Sequence, residues 1–256
     1  MVQEMDIDIS PILNAWEYNP EKNVRIIKIG KRKEVLQVRK PLGIEQYEMD
    51  GRPDGKKPFA KDSVLTEYLE RLKKYKSKNK TDKGFIINHD NFLVLYQEGL
   101  LFYYRYLILF QVGDFKRTVR DTEHNLKICT LIKKYCQNIE DQIQQLQYRP
   151  YIIRINAIAN AMLSVKQNMH IIAKEIIDSA INEIRNLDEI KNMTFQFEKI
   201  RSLNYLKVTL TQITDKQLSK IDKLKLELED AVKIENYEKA AEIRDKINEL
   251  VNEPEE

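Results

Sequence analysis

Two cysteines, three histidines and one carboxylate-rich loop are the residues of this chain with the most evident chemical potential, and their spacing decides how much of it is realised. Cys129 and Cys136 stand seven residues apart in a stretch of helical period. A rise of about 1.5 Å per residue sets their Cα atoms roughly 10 Å apart, beyond disulfide reach. Unpaired thiols suit a reducing, cytoplasmic setting, and the sequence shows no cationic stretch leading into an apolar core, as a secretory leader would. His89, His124 and His170 lie apart from one another and from Cys, Ser or Glu at metal-ligand or triad spacing, so neither a metal site nor a catalytic residue is expected from them. The loop Asp50 to Pro58 brings carboxylates together but lacks the alternating ligands and distal Glu of a calcium loop. Its Asp-Gly pairs read as turns. Phosphate-binding loops, the dinucleotide fingerprint, HExxH and GxSxG are all missing. The expectation is a protein without cofactor or enzymatic activity.

The elements that carry these residues are mostly helical. Only 7 Gly and 7 Pro occur in 256 residues, while 42% are hydrophobic, enough to build a core and to argue against disorder. Nine of those Gly and Pro residues fall within the first 58 positions, so a short turn-rich part precedes a long helical one. The reading divides the chain into a β-rich region over 1–62, a helix and basic linker over 63–84, a helical domain over 85–212 and a terminal hairpin over 213–256. Val24 to Ile29 and Val35 to Arg39 flank the polar loop Gly30 to Glu34, a hairpin signal, and Ile44 to Met49 alternates as a third strand. Arg25, Lys28, Lys31, Arg32, Lys33, Arg39 and Lys40 make this hairpin basic. Together with Lys76, Lys78 and Lys80 in the lysine-rich run from Lys73 to Lys83, they are the candidate contacts for nucleic-acid phosphates. No aromatic platform is interleaved with them, so a solvated sheet face is the plainer reading.

From Phe85 to about Lys207 apolar residues recur at intervals of three and four, the helical period. The longest apolar stretch, Phe92 to Phe110, is broken by Gln97, Glu98 and Arg105. A central Arg costs a membrane helix about 2.5 kcal/mol or more, so this is a buried helix with no membrane role. The aromatic run Phe102 to Tyr106 reads as core, with Arg105 reaching a carboxylate or the surface. Gly113-Asp114 followed by Phe115 and Thr118, and later Asn168 followed by His170, Ala173 and Ala180, mark two turns between helices. They resemble the second half of a tetratricopeptide unit, with Thr118 and Asn168 replacing the usual alanine and glycine and with 55 residues between turns instead of about 34. The resemblance implies enlarged helical hairpins stacked beside a groove.

The most informative segment runs from Leu218 to Leu250. Leu218, Ile221, Leu224, Leu228, Ala231 and Val232 form one apolar stripe, and Tyr237, Ala240, Ala241, Arg244, Ile247 and Val251 a second. Between them Ile234 to Asn236 is a tight turn, with Asn236 suited to cap the second helix. The run Asn236-Tyr-Glu-Lys-Ala-Ala-Glu-Ile-Arg-Asp245 and its flanks closely resemble the UVR motif shared by the bacterial proteins UvrB and UvrC and by several stress proteins. The excinuclease signatures and the repeated CxxC pairs of some stress regulators are missing. The resemblance implies a two-helix hairpin that meets protein partners.

The fold class expected is therefore mainly α: a small N-terminal sheet, TPR-like helical hairpins and a UVR hairpin. Two helices leave much of both stripes wet, so a further surface is needed: a UVR-like hairpin on another protein, a second copy, or the chain's own middle. The functional expectation is a bacterial, cytoplasmic adaptor pairing helix against helix through Leu224, Leu228, Val232, Tyr237, Ala240, Ala241, Arg244 and Ile247. The alternative is a nucleic-acid-associated repair accessory using the basic hairpin and lysine-rich run. Regulation of a stress-response kinase or protease is a third. Residues 217–256 carry 7 basic and 12 acidic side chains, which does not favour DNA as the hairpin's own ligand.

Overall fold

A computed structural model describes residues 7–30, 33–217, 220–233 and 236–252. After a short helix α1 (Ser10–Ala15), three strands β1 (Val24–Ile29), β2 (Lys33–Lys40) and β3 (Gly43–Glu48) form an antiparallel sheet in the order β1-β2-β3. Ile29 pairs with Lys33, so β2 begins two residues earlier than the sequence pattern suggests and the loop is shorter. Leu36, Val38 and Tyr47 pack against Leu109 of helix α3 (His89–Gln111). Arg39 was counted among the basic hairpin's cations, but it is buried. Its guanidinium donates to the carbonyls of Trp16 at 2.7 Å and Gly43 at 3.3 Å, fastening the N-terminal segment to the sheet.

Helix α2 (Val64–Asn79) continues into the lysine-rich run from Lys73 to Lys83, which the sequence suggests is a linker. Lysine is a good helix former, and the end of the helix is held by side chains. Tyr75 packs edge-on against Phe85 and donates to the Lys83 carbonyl at 3.0 Å. Asp82 accepts from Lys134 at 2.6 Å and from Tyr135 at 2.8 Å, and pairs with Lys76 at 3.3 Å. The start of α2 is capped twice: Ser63 Oγ accepts from the Thr66 amide, and Glu98 of α3 accepts from the amides of Val64 at 2.7 Å and Leu65 at 2.9 Å.

α4 (Phe115–Tyr135), α5 (Ile139–Leu146), α6 (Arg149–Lys166), α7 (His170–Arg185) and α8 (Met193–Gln217) continue the helical body. α3 packs on α4, α4 on α6, α6 on α7, and α7 and α6 on α8. Gly113 takes φ +76° between α3 and α4, and Asp114 caps α4 by accepting from the Arg117 amide. Asn168 takes φ +57° between α6 and α7, a left-handed turn that asparagine tolerates better than most residues. Pro150 sits in the first turn of α6, where it removes no helical hydrogen bond. Leu65, Tyr68, Phe92, Leu95, Ile128 and Ile132 form one core across α2, α3 and α4. Ile153, Ala157, Ala173, Ile177 and Leu206 form another across α6, α7 and α8.

The aromatic run on α3 is only partly core. Phe102, Arg105 and Tyr106 are buried, whereas Tyr104 is half exposed, because consecutive helical residues are about 100° apart and five cannot share one face. Both cysteines are free and buried. No helix among the described residues is long and apolar enough to cross a membrane.

Candidate partner-binding hairpin

α9 (Lys220–Lys233) and α10 (Tyr237–Asn252) pack together as a hairpin. Asn236 opens α10: its amide donates to the Ala231 carbonyl at 2.8 Å and its side chain accepts from the Lys239 amide at 3.2 Å. Ile234 and Glu235 of the turn lie outside the described residues. Ala231 of α9 and Ala240 of α10 are buried with Ile243, and Leu224, Leu228 and Ile247 pack half-buried around them. Every residue of this cluster belongs to α9 or α10, so among the described residues the body contributes nothing to the hairpin's core.

This geometry divides the eight residues singled out in the sequence. Leu224, Leu228, Ala240 and Ile247 hold the two helices together. Val232, Tyr237, Ala241 and Arg244 are exposed, Val232 at 49% and Tyr237 at 67%. Ala241 therefore does not share the helix contact made by Ala240, being rotated about 100° from it. Tyr237, Ala241 and Arg244 follow one another at four and three residues and form a single outward stripe on α10. Among the described residues Arg244 pairs with its neighbour Asp245, at 3.4 Å in the open, a contact worth little. Leu218 and the side chains of Ile221 and Val251 lie outside the described residues. Ile243 was absent from the sequence-derived stripe. Its spacing of three from Ala240 and four to Ile247 is the signal that locates it.

The cations proposed for phosphate sit elsewhere. The Arg25 guanidinium lies 3.9 Å from the centre of the Trp16 ring, and its Nε donates to Gln37 at 2.9 Å. Lys33 pairs with Glu48 at 2.7 Å, and Lys76 with Asp82. Lys28 and Lys78 are exposed, and Lys80 ends α2 in a left-handed conformation. Arg32 lies outside the described residues. Neighbouring carboxylates thus already neutralise part of the basic character.

His89, Asp141 and Cys136 do come together: Nδ1 is 2.9 Å from Asp141 Oδ1, and Sγ is 4.0 Å from Oδ2. The carboxylate stands between imidazole and thiol, so this is not a histidine-activated cysteine; burial pushes the Cys136 thiol up from its ordinary range. Among the described residues no group of three or more His, Cys, Asp or Glu side chains is placed to hold a metal ion.

Residues 219–253 match the UvrB/uvrC motif. The hairpin is similar to a UVR motif. No curated protein and no solved structure matches the chain. The match spans α9 and α10 and stops short of α8. The hairpin's inner seam accounts for the two-helix fold, and its outer stripe is available to something else.

Proposed function

We propose that this protein is a non-enzymatic adaptor that docks a protein partner on the outer face of its UVR hairpin, helix against helix. The observation that carries this reading is the outward stripe of Tyr237, Ala241 and Arg244, with exposed Val232 on the neighbouring helix, on a hairpin whose core is already complete without it. Tyrosine and arginine are among the side chains that dominate interface energetics, and the alanine between them permits close approach of a second helix. A partner carrying a UVR-like or amphipathic helical hairpin, including a second copy of this chain, fits that face. The buried free thiols suit a reducing bacterial cytoplasm.

Sedimentation equilibrium of the full chain tests self-association, and titration calorimetry against the UVR hairpins of UvrB and of UvrC tests pairing between proteins. Binding in at least one arm is expected, reduced about tenfold or more, roughly 1.4 kcal/mol, by Tyr237→Asp. Tyr237 is the first residue of α10, where a carboxylate favours the helix, so this variant stays folded. No association in any arm would refute the adaptor reading.

A further inference from the structure

α8 is the last helix of the stacked body. It packs on α6 and α7, with Phe195, Ser202 and Leu206 turned inward. On its opposite side Met193, Phe197, Ile200 and Val208 are 89%, 61%, 61% and 57% exposed. At 100° per residue their spacing of four, three and eight keeps all four within about 80° of one another, so they form one apolar stripe. A stacked helical array normally ends on a polar outer face, and an exposed apolar patch in that place marks an interaction surface.

Charge selects what covers it. Between Met193 and Thr214 the one acidic residue, Glu198, is buried and pairs with Arg201 at 3.6 Å. Arg201 and Lys207 are exposed and border the stripe about 60° to either side. A second α8 laid on this face would set cation against cation, whereas an acidic helix fits. α10 is such a helix. Glu238, Glu242 and Asp245 are exposed, each one position beyond the outward residues Tyr237, Ala241 and Arg244, so an acidic rim runs beside the docking stripe. Residues 217–256 carry 7 basic and 12 acidic side chains, against 36 and 28 in the remainder. Tail and body are thus of opposite sign, which steers one toward the other.

The chain's own hairpin does not reach the whole stripe. Two residues separate α8 from α9, and α9 has 14. Fully extended at about 3.5 Å each and helical at about 1.5 Å each, they span about 28 Å from Gln217. By the same rise Phe197 and Met193 lie about 30 Å and 36 Å back along α8, and α10 runs away from them once α9 has turned. A hairpin folded back on its own body would overlie Val208 and leave Met193 and Phe197 bare. The hairpin of a second copy has no such tether.

We propose that the UVR hairpin of one copy lies across the outer face of α8 of a second copy, Tyr237 and Ala241 against Phe197 and Ile200, with the acidic rim of α10 toward Arg201 or Lys207. The exchange is reciprocal and closes a two-fold dimer. This rests on the adaptor reading and names the surface that the hairpin captures.

Sedimentation equilibrium of the full chain, alone and in mixtures, tests this. A dimer is expected, and Phe197→Glu and Tyr237→Asp should each raise its dissociation constant at least about tenfold. Phe197 points away from the packing face of α8, so its variant should keep the native circular dichroism and melting temperature. Lys207→Glu, which removes no apolar contact, is the second variant and should weaken the dimer about threefold or more at low salt, an effect that fades at high salt. Mixing decides the matter: the Phe197→Glu chain offers an intact hairpin and the Tyr237→Asp chain an intact α8, so the two together should associate more tightly than either does alone. Pairing of hairpin with hairpin predicts the reverse, a Phe197→Glu chain that dimerises like the native one and no rescue on mixing. That result, or a chain that binds the UVR hairpins of UvrB or UvrC but not itself, would overturn the proposal and leave the adaptor reading standing. No association in any arm would overturn both.

Discussion

Arg105 and Asp121 form an ion pair with no solvent exposure on either side chain, Nε to Oδ2 at 2.6 Å and Nη2 to Oδ1 at 2.8 Å. The remaining guanidinium nitrogen donates to the Glu48 carbonyl at 2.7 Å, so one arginine joins α3, α4 and the end of β3. Without Arg105, Asp121 would keep one cation, Arg120 Nε at 2.9 Å, so the loss falls at the lower end of the about 3–5 kcal/mol of a broken buried pair. Arg105→Leu is therefore expected to lower stability by that amount in urea unfolding. The double variant Arg105→Leu with Asp121→Leu should recover a large part of the loss. Additive losses would show that the pair is not coupled.

Glu98 predicts an acid-side weakness. Burial opposes its ionisation, but donation from His124 and from the amides of Leu65 and Val64 outweighs it and brings the carboxyl below its ordinary 4.5. A lowered folded value contributes stability that is fully present above the unfolded value and is lost as pH falls through the folded one. Chemical denaturation between pH 7 and pH 3 should show this slope in the native chain and a shallower one in Glu98→Gln. That variant should also be about 1–3 kcal/mol less stable at neutral pH.

Cys129 predicts the opposite dependence. Burial pushes its thiol up to about 11, despite a hydrogen bond from Gln145. The unfolded thiol ionises first, so this group's contribution is intact below its ordinary value of 9.0 and is lost as pH rises toward about 11. Iodoacetamide at pH 8 should leave Cys129 unmodified in the native protein and alkylate it quickly in denaturant, with mass spectrometry as the readout. Fast native labelling would contradict its burial.

Within the hairpin the two faces should separate experimentally. Ile243→Ala removes the largest fully buried side chain of the seam, a change that costs about 2 kcal/mol or more and should reduce helical circular dichroism. Ala241→Asp adds a carboxylate to an exposed position and should leave that signal unchanged while abolishing association.

Much of this architecture was legible in the residues themselves. The three strands, the turn at Gly113-Asp114 and the cap at Asn236 follow from local chemistry that needs only a few neighbouring side chains. The features that escaped reading depend on distant partners. The second cap of α2 comes from Glu98, far along the chain, and the end of that helix is pinned through Asp82 by Lys134 and Tyr135. Tyr103 and Tyr151 meet only after α3 and α6 have packed, so no spacing along the sequence announces their contact. The sequence reading put Tyr237, Ala241 and Arg244 in one partner-binding stripe with Ala240 and Ile247, whereas the last two belong to the hairpin's own core. Adjacent Ala240 and Ala241 lie about 100° apart around the helix, and the position of Ile243 shows which of them faces the seam.

Among the described residues the hairpin's core shares none with the cores of the body, and this has a calorimetric consequence. Occupancy stabilises whatever unfolds together with the bound surface, in proportion to the logarithm of ligand concentration over Kd. A captured protein should therefore delay melting of the tail alone, seen as a small endotherm that moves with titrant while the main peak stays put.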